Sequence, residues 1–295
     1  MGMRKLEYHL CDVFTSRPLE GNQLAVFPDA ASLTDDEMQA IASEMNLSET
    51  TFVHRREREV EQARGIRVRI FTTQEELPFA GHPTLGTAAT IRQIFPEYAG
   101  AEKIVLDLNA GRIEVAFPND KAENFGEMKQ LDPVFGSTHD PAAIAEVLGL
   151  RPEDVGDQTP QTVSTGVAFC IIVVRSIEAL QRLKLDNAKS ARYAAGSDAK
   201  FFYALAPEGS GAWRARMQFY NGEDPATGSA AGCAISYLVR HGLRASGERL
   251  HLRQGIEIRR PSDLYLSAVL RDGRVSEVRV GGSTVPVAKG HIFLE

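Results

Sequence analysis

The sequence predicts an α+β protein of two similar lobes, each a sheet wrapped around one central helix. Two observations carry this. The pattern [H/D]-P-x-x-G-[T/S]-A-A occurs twice, as His82-Pro83-Thr84-Leu85-Gly86-Thr87-Ala88-Ala89 and as Asp224-Pro225-Ala226-Thr227-Gly228-Ser229-Ala230-Ala231. Each copy opens a helix of small and apolar residues, and a helix apolar almost all round must be buried. Around each helix lie many short runs rich in strand formers, separated by Gly, Asn and Asp. A length of 295 residues, beyond the usual single-domain size, agrees with two domains. The expected division is 1–120, with a last strand at about 287–295 joining it, and 121–286.

In chain order, Leu6–Phe14 and Leu24–Phe27 read as a hairpin interrupted at Pro18–Asn22. Thr34-Asp35-Asp36-Glu37 is a capping-box start, and Met38, Ile41, Ala42 and Met45 give that helix an apolar face ending near Asn46. Leu47–Val53 is a turn feeding a strand, and the mixed-sign cluster His54–Glu59 reads as a solvated strand end or loop. Ile66–Thr72 alternates as a strand with one wet face; the first small-residue helix runs from Pro83 to about Phe95. Lys103–Leu108 and Arg112–Phe117 form a second hairpin, and the polar stretch Pro118–Pro133 reads as the linker.

Asp140-Pro141 starts a helix, Ala168–Val174 is an apolar strand, and short helices follow at about Ile177–Leu183 and Asp186–Tyr193. Phe201–Leu205 and Trp213–Tyr220 are strands, and the second small-residue helix runs from Pro225 to about Arg240, stopped by His241-Gly242. The tail reads as strands at Leu250–Gln254, Ile256–Ile258, Leu264–Leu270, Arg274–Val280 and His291–Leu294.

Composition excludes several functions. The net charge of −6 with no long basic run argues against a nucleic-acid partner. No apolar run approaches the ~18 residues of a membrane span, and Met1–Leu6 carries no signal-peptide pattern, so the expected location is cytoplasmic. Cys11, Cys170 and Cys233 sit in apolar stretches without Cys or His neighbours, as buried small hydrophobes do. Neither repeat carries a Walker lysine or a dinucleotide fingerprint, so no nucleotide cofactor is implied. Asp35, Asp36 and Glu37 complement a helix dipole, and no metal is expected.

The two repeats suggest the chemistry. Asp224 stands in an N-cap position and His82 in an acceptable one, each followed by proline at the first helical position. The free N–H groups of such helix starts attract anions, so two of them suggest donor clusters for one carboxylate-bearing ligand. Gly81, Thr227, Gly228 and Ser229 are the expected substrate contacts; Ser229 and Thr87 could equally be small packing residues. Glu49, where a helix hands over to a strand, is the candidate general base, since a partly desolvated glutamate with a raised pKa abstracts protons well near neutrality. Its plainer reading is a solvated carboxylate at a strand end. For His82 and Asp224 the plainer reading is capping alone, and the chemical one is proton relay.

The stretches Asn46–Thr50, Arg69–Thr72, Glu76–Gly86 and Glu223–Ala231 resemble the phenazine-biosynthesis PhzF family. Gly21-Asn22 with Leu24–Phe27, and Gln254-Gly255 with Arg260-Pro261-Ser262, extend the resemblance to both ends. It implies the diaminopimelate-epimerase-like fold, each lobe a β-barrel-like sheet around a central helix, in a homodimer. It implies a cofactor-independent isomerase acting like trans-2,3-dihydro-3-hydroxyanthranilate isomerase, with Glu49 as acid/base and His82, Asp224 and Ser229 as polar partners. Gly81 and Asp224 stand where the epimerases carry their paired cysteines, which disfavours a two-thiol racemase. The sequence departs from the family pattern at Gln23, Thr73 and Arg259, the last standing where a glycine is usual. Two rival readings are an epimerase of an amino or hydroxy acid, with Glu49 and Asp224 as opposed bases, and a non-catalytic small-molecule-binding protein.

Overall fold

The computed structural model describes residues 3–122, 124–220 and 222–294. Met1 and Gly2 of the N-terminal reading and Glu123 of the linker lie outside the described residues. The chain forms two compact units: residues up to Lys129 together with those from Gly281 onward, and Gln130–Val280.

The first unit contains β1 (Arg4–Val13), β2 (Asn22–Phe27), α1 (Asp35–Met45), β3 (Glu49–His54), α2 (Arg58–Arg64), β4 (Ile66–Phe71), β5 (Glu76–Leu77), α3 (Gly81–Ile94), β6 (Lys103–Leu108), β7 (Gly111–Ala116) and β8 (Phe125–Lys129). The second contains β9 (Val134–Thr138), α4 (Pro141–Val147), β10 (Gln161–Ser164), β11 (Ala168–Val173), α5 (Ile177–Arg182), α6 (Asn187–Ala195), β12 (Phe201–Pro207), β13 (Trp213–Arg216), β14 (Gln218–Phe219), β15 (Gly222–Glu223), α7 (Gly228–Arg240), β16 (Leu250–Gln254) and β17 (Ser262–Arg271). The long β18 (Arg274–Leu294) begins in the second unit and finishes in the first.

In the first unit the strand order β1-β2-β3-β4-β6-β7-β8-β18 closes through the antiparallel β18–β1 pair into an eight-strand barrel. Helix α3 contacts β1, β2, β3, β6, β7 and β8, so it runs inside that barrel. Its small residues are what permit this. A Cβ on Gly86 would come 2.7 Å from side-chain atoms of both Leu24 and Val13, closer than real contacts allow. Leu85, Ala88 and Ile91 fill the remaining space and are fully buried.

The second unit repeats the pairing scheme. In the first, β1–β2 is antiparallel, β2–β3 parallel, β3–β4 antiparallel, β4–β6 parallel and β6–β7 antiparallel. The series β10–β11, β11–β12, β12–β13, β13–β16 and β16–β17 runs in the same alternation. A parallel pair needs a crossover connection, usually helical; α3 serves β4–β6 and α7 serves β13–β16. Helix α7 is buried from Gly228 to Val239 and packs on β10, β11 and β17.

Several expectations change. The linker Pro118–Pro133 contains β8, which pairs with β7 at Val115↔Met128 and buries Phe125 and Met128; its apolar residues outweigh its polar composition. The charged cluster at Arg55–Glu59 leads into α2, which local pattern did not show. Tertiary partners hold it: buried Glu61 accepts from Arg55 Nε at 2.9 Å, from the Arg56 amide at 2.9 Å and from the Tyr98 hydroxyl at 2.8 Å. Trp213–Tyr220 splits into β13 and β14, and the strands at 274–280 and 291–294 are one strand, β18.

Ile256–Ile258 is a turn rather than a strand, with the Arg260 amide donating to the Gly255 carbonyl at 2.9 Å. Arg259 stands in it at φ 59°, with its side chain exposed. A left-handed conformation costs a non-glycine residue about 1–2 kcal/mol, partly offset in glycine by its greater unfolded freedom. Arg259→Gly is therefore expected to stabilise the protein by about 0.5–1 kcal/mol. A urea midpoint that stays or falls would refute the strain.

Candidate active site

In the first unit, the polar group of interest forms at strand and helix starts. Glu49 is the first residue of β3, and parallel pairing sets it opposite Leu24 of β2, whose first residue is Asn22. His82 lies in the first turn of α3. Its Nδ1 is 3.2 Å from Asn22 Nδ2 and 3.5 Å from Glu49 Oε2. The His82 ring is 3% exposed and the Glu49 side chain 16%, and the Glu49 oxygen nearest the ring, Oε2, is itself buried. His82 Nε2 is buried and has no hydrogen-bond partner among the described residues.

Burial pushes the His82 pKa down to about 3 against the smaller opposing effect of the Gln23 backbone, so the ring is neutral at neutral pH. The sign of the consequence follows. The unfolded chain protonates this histidine below its ordinary 6.5 while the native one does so only near 3. Its contribution is complete above 6.5 and is lost as pH falls, at about 1.4 kcal/mol per pH unit between 6 and 4. At pH 5 the wild type is expected to take up about one more proton on unfolding than His82→Asn. Equal uptake in the two proteins would refute the buried neutral ring.

In the second unit, Asp224, Thr227 and Ser229 are each 8% exposed. The Thr227 hydroxyl donates to Asp224 Oδ2 at 2.7 Å. Gln254, at the end of β16 and fully buried, binds this segment from outside. Its Nε2 donates to the Asp224 carbonyl at 2.9 Å and to Thr227 Oγ1 at 2.9 Å, and its Oε1 accepts from the Thr227 amide at 3.1 Å and from the Tyr203 hydroxyl at 2.7 Å. Glu223 is held by Arg216, whose Nε and Nη2 reach the two carboxylate oxygens at 2.9 and 2.6 Å. The Ser229 hydroxyl makes no hydrogen bond among the described residues.

Capping is corrected in both repeats. Helix α3 starts at Gly81 with Ala80 at the cap, so His82 lies inside the helix; α7 starts only at Gly228, with Thr227 at the cap and Asp224 upstream of it. The physical difference is in the backbone partners. Pro225 disfavours a helical Asp224, and Gln254 satisfies the Asp224 carbonyl and Thr227 amide that a helical turn would otherwise use. Helix geometry leaves the first amides of α3 at Gly81 and His82, and of α7 at Gly228 and Ser229, without intrahelical acceptors. Thr87 is a packing residue, its hydroxyl donating to Thr51 Oγ1 at 2.8 Å.

Sequence reasoning assigned no role to Asn22, Gln254 or Tyr203. Asn22 and Gln254 belong to short stretches that stood out, and Tyr203 lies in an apolar strand with nothing to mark it. The three cysteines are buried, and burial raises their thiols, Cys11 to about 12 and Cys233 to about 11. Among the described residues no three His, Cys, Asp or Glu side chains are arranged to hold a metal ion, and no helix is long and apolar enough to cross a membrane.

The sequence profile described as Phenazine biosynthesis-like protein matches residues 11–290. The chain is 35% identical to trans-2,3-dihydro-3-hydroxyanthranilate isomerase of Pseudomonas aeruginosa, over 97% of this chain and 99% of that one. A solved structure from the same organism, described as a predicted epimerase, superimposes with a TM-score of 0.83 at 35% identity, covering 98% of this chain and 100% of that one. A hydroxyproline epimerase of Agrobacterium vitis superimposes with a TM-score of 0.65 at 11% identity, covering 100% and 93%, a likeness of fold alone. The architecture is thus an epimerase-like α+β fold.

Proposed function

This chain belongs to the phenazine biosynthesis-like protein family and is an isomerase, and from that premise we propose that it moves a proton on a small carboxylate-bearing substrate without a cofactor. The reaction class is that of trans-2,3-dihydro-3-hydroxyanthranilate isomerisation, in which a ring proton passes from C3 towards C1 and an enol results. The observation that supports this most is the Glu49 carboxylate, on a side chain only partly exposed, 3.5 Å from a buried imidazole.

Glu49 takes the proton from carbon and returns it, so the net charge of enzyme and substrate is unchanged over the cycle. His82, neutral and in contact with Asn22 through Nδ1, is within reach of a proton on Glu49 Oε2. Asp224 is the second polar partner. In the first unit the α3 amide at Gly81 is the group assigned to an acidic substrate, and in the second unit the Ser229 hydroxyl, Thr227 and the α7 amide at Gly228 are.

A two-thiol epimerisation is disfavoured: Gly81 and Asp224 carry no sulfur, and the cysteines that exist are buried with raised thiol pKa values. The test is NMR of dihydro-hydroxyanthranilate with the wild-type protein in D₂O. Double-bond migration with deuterium at the receiving carbon is expected. An untouched substrate, with exchange on another carboxylate in the same assay, would remove this substrate and keep the proton-transfer class. Inversion of a centre without double-bond migration would replace the reading with epimerisation.

A further inference from the structure

A cavity of about 590 Å³ lies on the second unit, away from Asp224 and Gln254, bounded by α4, α6 and the end of β9. We propose that it binds a small organic acid that also carries a hydroxyl or amino donor. Its volume is in the range of small-molecule sites.

The charge comes from one face of α6. Lys189, Arg192 and Tyr193 stand at i, i+3 and i+4 and so project to the same side, and all three line the cavity. Lys189 is paired to Glu146 at 2.9 Å. Arg192 has no ion pair among the described residues, so one guanidinium is left uncompensated at the cavity wall. On α4, Ala143 and Val147, one turn apart, supply an apolar surface for a hydrocarbon body beside the Lys189-paired Glu146.

The donor requirement follows from a chain of hydrogen bonds behind the cavity. The Thr162 hydroxyl donates its one proton to Asp198 Oδ1 at 2.6 Å. Thr162 Oγ1 must then accept from His139 Nε2, 2.7 Å away. With its proton on Nε2, the buried His139 ring accepts at Nδ1 from the Tyr193 hydroxyl, 3.0 Å away. The proton of Tyr193 is thereby committed inward, and its oxygen offers the cavity only lone pairs. A carboxylate placed on that oxygen would be repelled; a hydroxyl or amino group would be bound. Arg192 takes the acid, and Tyr193 takes the donor.

The experiment is calorimetric titration of the full-length protein with 3-hydroxybenzoate and with benzoate. Saturable binding is expected, with 3-hydroxybenzoate tighter by about 3-fold or more, the share of one modest hydrogen bond. Arg192→Ala, an exposed substitution, should weaken both by about 10-fold, and Arg192→Lys should restore part of it. Tyr193→Phe should bring 3-hydroxybenzoate down to the affinity of benzoate. No saturable binding up to about 10 mM, or binding that Arg192→Ala leaves unchanged, would overturn the site. Equal affinity of the wild type for the two acids would overturn the assigned ligand class.

Discussion

Glu49→Gln is expected to lower kcat by at least ~10³-fold with a far smaller change in KM and an unaltered unfolding midpoint. Proton transfer by a placed side chain contributes about 10²–10⁴-fold, and a sole base is worth the upper part of that range. The amide keeps the shape of the carboxylate at the start of β3, and the strand's pairing to β2 and β4 uses backbone groups, so the fold is indifferent to the change. Deuterium incorporation should disappear with turnover. A variant that still isomerises at near wild-type rate would sink the assignment of the base. His82→Asn is expected to cost less, because the neutral ring lies beside the carboxylate and does not meet carbon.

Gly255→Ala is expected to destabilise the protein by about 3 kcal/mol and to impair activity together with stability. Gly255 has φ +75°, and a Cβ there would lie 2.6 Å from the Pro225 carbonyl oxygen and closer still to that of Arg260. Both obstacles are backbone and cannot swing aside. The left-handed conformation contributes about 1 kcal/mol and the overlap about 1–3 more. Relief would require the Gly255–Arg260 turn to withdraw from Pro225, which stands between Asp224 and Thr227. Gln254, next in the chain, clamps that same segment, so the substitution tests a structural link to the candidate site. An unfolding free energy within about 1 kcal/mol of wild type would show that the segment has more slack than these distances allow.

Much of the fold was legible in residue patterns. The capping box at Thr34 and Glu37 is present, with Asn46 left-handed at the other end of α1. Both small-residue helices form, because Gly, Ala, Ser and Thr at those spacings can be surrounded by sheet. What failed were segments whose conformation is decided by distant partners. Helix α2 depends on Arg55 and Tyr98 meeting Glu61, and β8 depends on β7 presenting an edge to a stretch of polar composition.

The candidate site divides the same way. Sequence by itself determined which residue types stand at the two repeated helix starts, and that Glu49 opens a strand after a helix, since these follow from local spacing and capping chemistry. Only tertiary structure decided that His82 is neutral, because burial is a property of the closed barrel around α3. Only tertiary structure set the different starts of α3 and α7, because Gln254 reaches across the sheet to satisfy backbone groups that the octapeptide leaves open. The repeat specified the residues; the partners each copy meets decided what those residues do.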